Sequence, residues 1–128
     1  MATLKDQFDY VLFTGDLPAH NIWNQSRADI LTAMSTVEKL FKTYLPGNQI
    51  YNTLGNHESS PVNSFPPDYI KGDDAETWLY EATAKLWSNW LPQDTMHDIK
   101  RAGYYTVLIE NGFRLISLNT NFCNNMNW

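Results

Sequence analysis

Apolar positions along this chain alternate between short runs and helical stripes. Asp9-Tyr10-Val11-Leu12-Phe13-Thr14 is an apolar run of strand length, closed by Gly15-Asp16, and predicts a buried strand. Leu17-Pro18-Ala19-His20 then leaves the sheet, because Pro18 cannot donate to a central ladder. Ser26 followed by Asp29 has the spacing of a capping box, with Asp in place of Glu or Gln. Ile30, Met34, Val37, Leu40, Phe41 and Tyr44 follow at helical spacing, and Pro46-Gly47 stops the helix. Gln49 to Leu54 reads as a second strand that again runs into glycine, at Gly55. Strand, helix and strand make a βαβ unit, so the two strands are expected to be parallel neighbours. Their C-terminal ends then share one sheet edge, which is where open α/β sheets hold ligands.

The pattern changes after Gly55. Ser59 to Gly72 contains Pro61, Pro66 and Pro67 and has no periodicity, so it is expected to be a long loop leaving that edge. Asp73 with Glu76 gives a second capping-box spacing, ahead of a helix with Trp78, Leu79, Ala82, Leu86 and Trp90 on one face. Tyr104 to Ile109 and Phe113 to Leu118 read as two strands joined at Asn111-Gly112, the strongest short hairpin signal in the chain. The fold class expected is α/β, with the βαβ unit carrying the chemistry.

Composition narrows the function classes. The chain has 128 residues, the size of one domain or part of one, and 43% hydrophobic residues, enough for a core. A net charge of −5 argues against a nucleic-acid partner. No run approaches the roughly 20 apolar residues of a transmembrane span. Met1-Ala2-Thr3-Leu4-Lys5-Asp6 has no apolar signal region. The five Trp and seven Tyr are expected mostly in the core, Trp78 and Trp90 among them. Cys123 is the single cysteine, and by composition alone a buried thiol. Asn24-Gln25-Ser26 has the form of a glycosylation acceptor.

The candidate chemistry lies at the two strand exits. Asp16 alone is an ordinary turn residue, and Asn56-His57-Glu58 alone is a turn with a surface histidine. Together, each at the tip of a buried strand, they match the way a two-metal phosphoesterase sets its ligands over a phosphate. A carboxylate can bridge two cations, and an amide oxygen is a neutral hard ligand. A histidine beside them can protonate a leaving oxygen. His20 lies four residues beyond Asp16 and reads either as a loop residue or as a second group over the same phosphate. Glu58 reads as a residue that orients a neighbouring side chain, or else as a solvated charge. His97 sits in a polar stretch far from both exits and reads as a surface residue.

Longer motifs sharpen this. Thr14-Gly15-Asp16-Leu17-Pro18-Ala19-His20-Asn21-Ile22-Trp23 resembles the acid sphingomyelinase family of calcineurin-like metallophosphoesterases. So do Gly55-Asn56-His57-Glu58-Ser59-Ser60-Pro61-Val62-Asn63-Ser64-Phe65-Pro66-Pro67, Trp78-Leu79-Tyr80-Glu81-Ala82 and Leu115-Ile116-Ser117-Leu118-Asn119-Thr120-Asn121-Phe122-Cys123. The resemblance covers nearly the whole chain and implies a β-sandwich flanked by helices. It implies that Asp16 bridges two zinc ions and that Asn56 binds one of them. His57 and His20 would steady the phosphate and protonate the departing ceramide alkoxide. The implied reaction hydrolyses sphingomyelin, presented at a membrane surface, to ceramide and phosphocholine. Other phosphodiesterases or phosphatases of the superfamily, acting on nucleotides or phosphoproteins, and a non-catalytic fragment are the alternatives. The family is secreted or lysosomal and glycosylated, which suits Asn24, and it pairs its cysteines, which leaves Cys123 short of a partner. The family's Asp-x-His motif belongs before Phe8, and its Gly-His-x-His motif after Trp128. Residues 1–128 are therefore expected to be a central part of the catalytic domain and inactive alone.

Overall fold

The computed structural model describes residues 7–128. The signal-region reading of Met1 to Asp6 lies outside the described residues. Strand β1 (Tyr10–Phe13) and strand β2 (Gln49–Asn52) pair in parallel, with Tyr10 opposite Gln49 and Phe13 opposite Asn52. Helix α1 (Arg27–Tyr44) makes the crossover, so the βαβ unit forms as expected. Its capping box is present in full: the Ser26 side chain accepts from the Asp29 N–H, and Asp29 Oδ2 accepts from the Ser26 N–H. Both strands are shorter than their apolar runs.

The buried face of α1 differs from the expected stripe. Ile30, Met34, Glu38 and Phe41 are buried, whereas Leu40 and Tyr44 are 44% and 46% exposed. Glu38 lies at the centre of the stripe by helical geometry, four residues beyond Met34. An apolar-only reading passes over it.

Helix α2 (Thr77–Trp87) also buries a different face, made by Leu79, Tyr80, Thr83, Ala84 and Trp87. Trp78, Ala82 and Leu86 are only half-buried, and Trp90 lies beyond the helix. The Asp73–Glu76 capping box does not form. Gly72–Asp74 makes a separate turn, and the Glu76 carboxyl turns inward to accept from the Trp78 indole N–H at 3.0 Å. A third helix, α3 (Met96–Ala102), was not expected from the polar stretch around His97. It is short and contributes Met96 and Ile99 to the core.

Strands β3 (Tyr105–Glu110) and β4 (Phe113–Ser117) form the expected hairpin, with a bulge between Leu108 and Glu110. The hairpin is tied to the end of β2. Tyr105 and Ser117 both donate their hydroxyls to the Asn52 carbonyl, at 2.8 and 3.1 Å, and Thr53 donates to the Leu118 carbonyl. Two small sheets and three α-helices among the described residues give the α/β class expected. The main core gathers Met34, Leu54, Leu79, Trp87, Ile99 and Tyr105 beneath the strand exits. This packing fixes where β1 and β2 end.

Candidate metal centre at the strand exits

Each strand exit carries a glycine, Gly15 after β1 and Gly55 after β2, because the two exits touch backbone to backbone. Gly15 has φ +78°, and a Cβ placed on it would lie 2.4 Å from the Gly55 nitrogen. A Cβ on Gly55 would lie 2.6 Å from the Asp16 nitrogen and 2.8 Å from the Asp16 Cβ. No side chain fits at either position without moving the other loop. Asp16 itself has φ +69°, a left-handed conformation that Asp tolerates better than most residues.

Carboxylates then lock the two loops together. Glu58 is 1% exposed and receives three backbone N–H groups: Gly55 and Asp16 on Oε2 at 2.6 and 2.9 Å, and Leu17 on Oε1 at 2.6 Å. In the opposite direction, Asp16 Oδ1 accepts from the His57 N–H at 3.1 Å. Each loop thus supplies a carboxylate to the other. Glu58 is not a solvated charge. Burial pushes its carboxyl above the ordinary range, against the pull of the N–H groups of Leu17, Asp16 and Gly55.

The candidate side chains meet on this frame. Asp16 is exposed at the first exit, and Asn56 is half-buried in the one-turn helix Asn56–Glu58 at the second. The His20 and His57 rings lie with centroids 4.7 Å apart, tilted by 59°. His20 is exposed, whereas His57 is 6% exposed with a buried Nδ1 that has no hydrogen-bond partner among the described residues. Asp16, His20, Asn56 and His57 are therefore gathered at one edge of the parallel pair. The other candidates lie elsewhere. His97 is on α3, with its side chain 82% exposed beside Asp98. Asn24 is exposed at the end of the short turn Ile22–Asn24. Cys123 is a free, exposed thiol, against the buried thiol that composition suggested.

Two residues that hold the site were missed in the sequence. Asn121, 8% exposed, donates through Nδ2 to the Leu54 and Gly55 carbonyls at 3.4 and 3.3 Å. Asn63 accepts from Asn56 Nδ2 at 2.9 Å. Both are asparagines in aperiodic segments, where spacing carries no signal.

The donor chemistry fits a hard divalent cation in part. Asp16 offers carboxylate oxygen and Asn56 offers an amide oxygen. Among the described residues, no group of three or more His, Cys, Asp or Glu side chains is placed to hold an ion. Asp16 and Asn56 therefore fit as two members of a ligand set, not as a whole one.

A sequence profile of calcineurin-like phosphoesterases matches residues 2–128. The chain belongs to the calcineurin-like phosphoesterase family. Membership implies use of a divalent metal, in keeping with the oxygen donors at the strand exits. The chain is 50% identical over 121 residues to a sphingomyelin phosphodiesterase of Bos taurus and 48% identical to that of Homo sapiens, covering 94% of this chain and 19% of each relative. It is 30% identical over 115 residues to the cyclic GMP-AMP phosphodiesterase SMPDL3A of Bos taurus, covering 88% of this chain and 24% of that protein. The chain thus spans about a fifth of the length of the curated relatives it matches. No helix among the described residues is long and apolar enough to cross a membrane.

Proposed function

We propose that this chain is part of the catalytic domain of a zinc-dependent sphingomyelin phosphodiesterase. The observation that carries this is the meeting of Asp16, Asn56, His20 and His57 on one glycine-paired edge, within a sequence 50% identical to a sphingomyelin phosphodiesterase. On this reading Asp16 and Asn56 are two of the metal ligands. The bound metal supplies Lewis acidity and a nucleophile near neutral pH. His57 and His20 sit together beside these ligands. One ring of the pair holds the phosphate oxygen, and the other gives its proton to the departing ceramide alkoxide. His57 Nδ1 is buried without a hydrogen-bond partner among the described residues, so on this reading proton exchange with substrate falls to Nε2, the other ring nitrogen. Glu58 acts indirectly, by fixing Asp16 and Gly55 against each other.

The same reading carries the remaining assignments. The substrate is a phosphodiester lipid at a membrane surface. Asn24 is a glycosylation site, and Cys123 pairs with another cysteine. The enzyme is secreted or lysosomal.

A second reading is a diesterase acting on nucleotides, favoured by the 30% identity to a cyclic GMP-AMP phosphodiesterase. The test is hydrolysis of sphingomyelin against nucleotide diesters by a polypeptide of the relatives' length carrying this segment, before and after chelation and zinc return. Zinc-restored turnover on sphingomyelin, with little on nucleotides, supports the first reading. The reverse preference overturns it.

A further inference from the structure

We infer that Asn63 is a positioning residue that decides which end of the Asn56 amide faces the metal. This rests on the reading of Asn56 as a ligand. A primary amide has two unlike ends of nearly equal size. Only its oxygen can bind a cation, because the nitrogen carries two hydrogens and no available lone pair. An asparagine ligand therefore needs something to stop it turning its nitrogen toward the ion.

The loop after Asn56 provides this. Asn56 Nδ2 donates to Asn63 Oδ1 at 2.9 Å, while the Asn63 N–H donates to the Asn56 carbonyl at 3.2 Å. Asn63 thus grips both the backbone and the side chain of Asn56. With Nδ2 turned to Asn63, Oδ1 is the end left for an ion. The next residue, His57, donates its N–H to the Asp16 carboxylate, which sets the two proposed ligands on neighbouring positions.

The grip is built with care elsewhere in the loop. Asn63 has φ +63°, a conformation favouring Gly, Asn or Asp. Of these, Gly offers no acceptor. The Ser59 hydroxyl donates within hydrogen-bond distance of the Asn56 and Pro61 carbonyls and accepts from the Ser64 N–H. The Trp128 N–H donates to the Asn63 carbonyl and its indole N–H to the Val62 carbonyl, at 3.3 and 3.0 Å. Asn127 pairs with both polar groups of the Phe65 backbone, accepting from its N–H and donating to its carbonyl. Residues 127 and 128 thereby strap the loop that holds Asn63. Outer partners of this kind commonly change metal affinity by about 10–100-fold.

Two substitutions separate the side chain from the backbone. Asn63→Gly keeps φ +63° without strain but removes the acceptor, whereas Asn63→Asp keeps both the conformation and an acceptor. The first readout needs no metal: the side-chain amide protons of Asn56 by ¹⁵N-resolved NMR of the 128-residue chain. One of them is expected to be downfield and slow to exchange in wild type and in Asn63→Asp, and free in Asn63→Gly. The second is Mn²⁺ titration, followed by line broadening, which detects weak binding. Asn63→Gly is expected to weaken Mn²⁺ by about 10–100-fold, with Asn63→Asp restoring it. Identical Asn56 amide behaviour in wild type and Asn63→Gly overturns the inference, as does equal Mn²⁺ loss in both variants. Asn56→Ala tells the two levels apart. If it leaves Mn²⁺ affinity unchanged, the ligand reading fails and the positioning role falls with it. If it weakens Mn²⁺ while Asn63→Gly does not, the inference alone is wrong.

Discussion

Replacing Gly55 with Ala adds one methyl group at the point where the two strand exits touch. Gly55 has φ −87°, so the new side chain meets no backbone strain of its own. The whole effect is steric. The methyl would lie 2.6 Å from the Asp16 nitrogen, 2.8 Å from its Cβ and 2.9 Å from its Cα, where ordinary contact begins at 3.4 Å. The exits must part by roughly 0.5–0.8 Å. Such overpacking costs about 1–3 kcal/mol. The displacement also exceeds the ~0.5 Å within which a binding constellation must be held. Gly47→Ala is the control for conformation: Gly47 has φ +87° and open space around it, so strain alone applies, about 1–2 kcal/mol. Gly15→Ala combines both effects, with φ +78° and a 2.4 Å clash, and is expected to be the least stable. Urea denaturation ranks the three, and Mn²⁺ titration separates them further. Gly55→Ala and Gly15→Ala lose metal affinity, while Gly47→Ala, remote from the site, keeps it. The close-contact argument is refuted if Gly55→Ala matches wild type in both stability and Mn²⁺ affinity.

Three further outcomes follow from the same geometry. Glu58→Ala strands the N–H groups of Asp16, Leu17 and Gly55 and is expected to cost roughly 3–6 kcal/mol. Glu58→Gln keeps one acceptor oxygen for the Asp16 and Gly55 N–H groups and turns its NH2 toward the Leu17 N–H, so it should cost at least about 1 kcal/mol less than Glu58→Ala; equal urea midpoints for the two would contradict the clamp. Glu38 and Glu76 are buried, and loss of solvation raises both carboxyls to about 8, with Lys42 opposing at Glu38 and Trp78 and Arg27 opposing at Glu76. The folded chain therefore keeps protons that the unfolded chain loses from about pH 4.5 upward, and stability falls as pH rises toward 8. Each group contributes a slope of at most about 1.4 kcal/mol per pH unit, and Glu38→Gln should flatten the urea midpoint between pH 5 and 8.5, where parallel curves would refute the assignment. In a polypeptide of the relatives' length, His57→Ala should lower turnover by about 10²–10⁴-fold with metal content kept, whereas Asp16→Asn should lose both. Equal metal loss in the two variants would show the roles are misassigned.

The parts of the molecule legible in the sequence are those set by local rules. β1, α1 and β2 combine apolar periodicity with a capping box and terminal glycines, and these signals agree with one another. Asn111-Gly112 marked the hairpin for the same reason. The two strand exits could be paired because a βαβ crossover leaves them little choice. Polar residues that act through tertiary contacts were harder to see. Glu38 and Glu76 are carboxyls inside the fold, and nothing local distinguishes them from solvated charges. The spacing of Asp73 and Glu76 fits a capping box, yet the partner of Glu76 is the Trp78 indole. The faces of α1 and α2 shift when Glu38 and Thr83 are admitted to the buried set. Glu58 was visible as a candidate through its place after His57. Its three N–H partners, two of them on the other loop, became visible only when the exits met. Asn63 and Asn121 act across sequence gaps in segments without period, which spacing cannot register.

The central claim is that Asp16 and Asn56, joined at the strand exits, are ligands for a divalent cation with His20 and His57 beside them. Paramagnetic Mn²⁺ titrated into the ¹⁵N-labelled 128-residue chain tests it most directly. The account predicts that resonances of Asp16, His20, Asn56 and His57 broaden first and together, and that Asp16→Ala abolishes this pattern while the fold is retained. Broadening confined to other acidic positions, such as Asp68, Asp73 and Asp74, with the strand-exit resonances untouched, would contradict it.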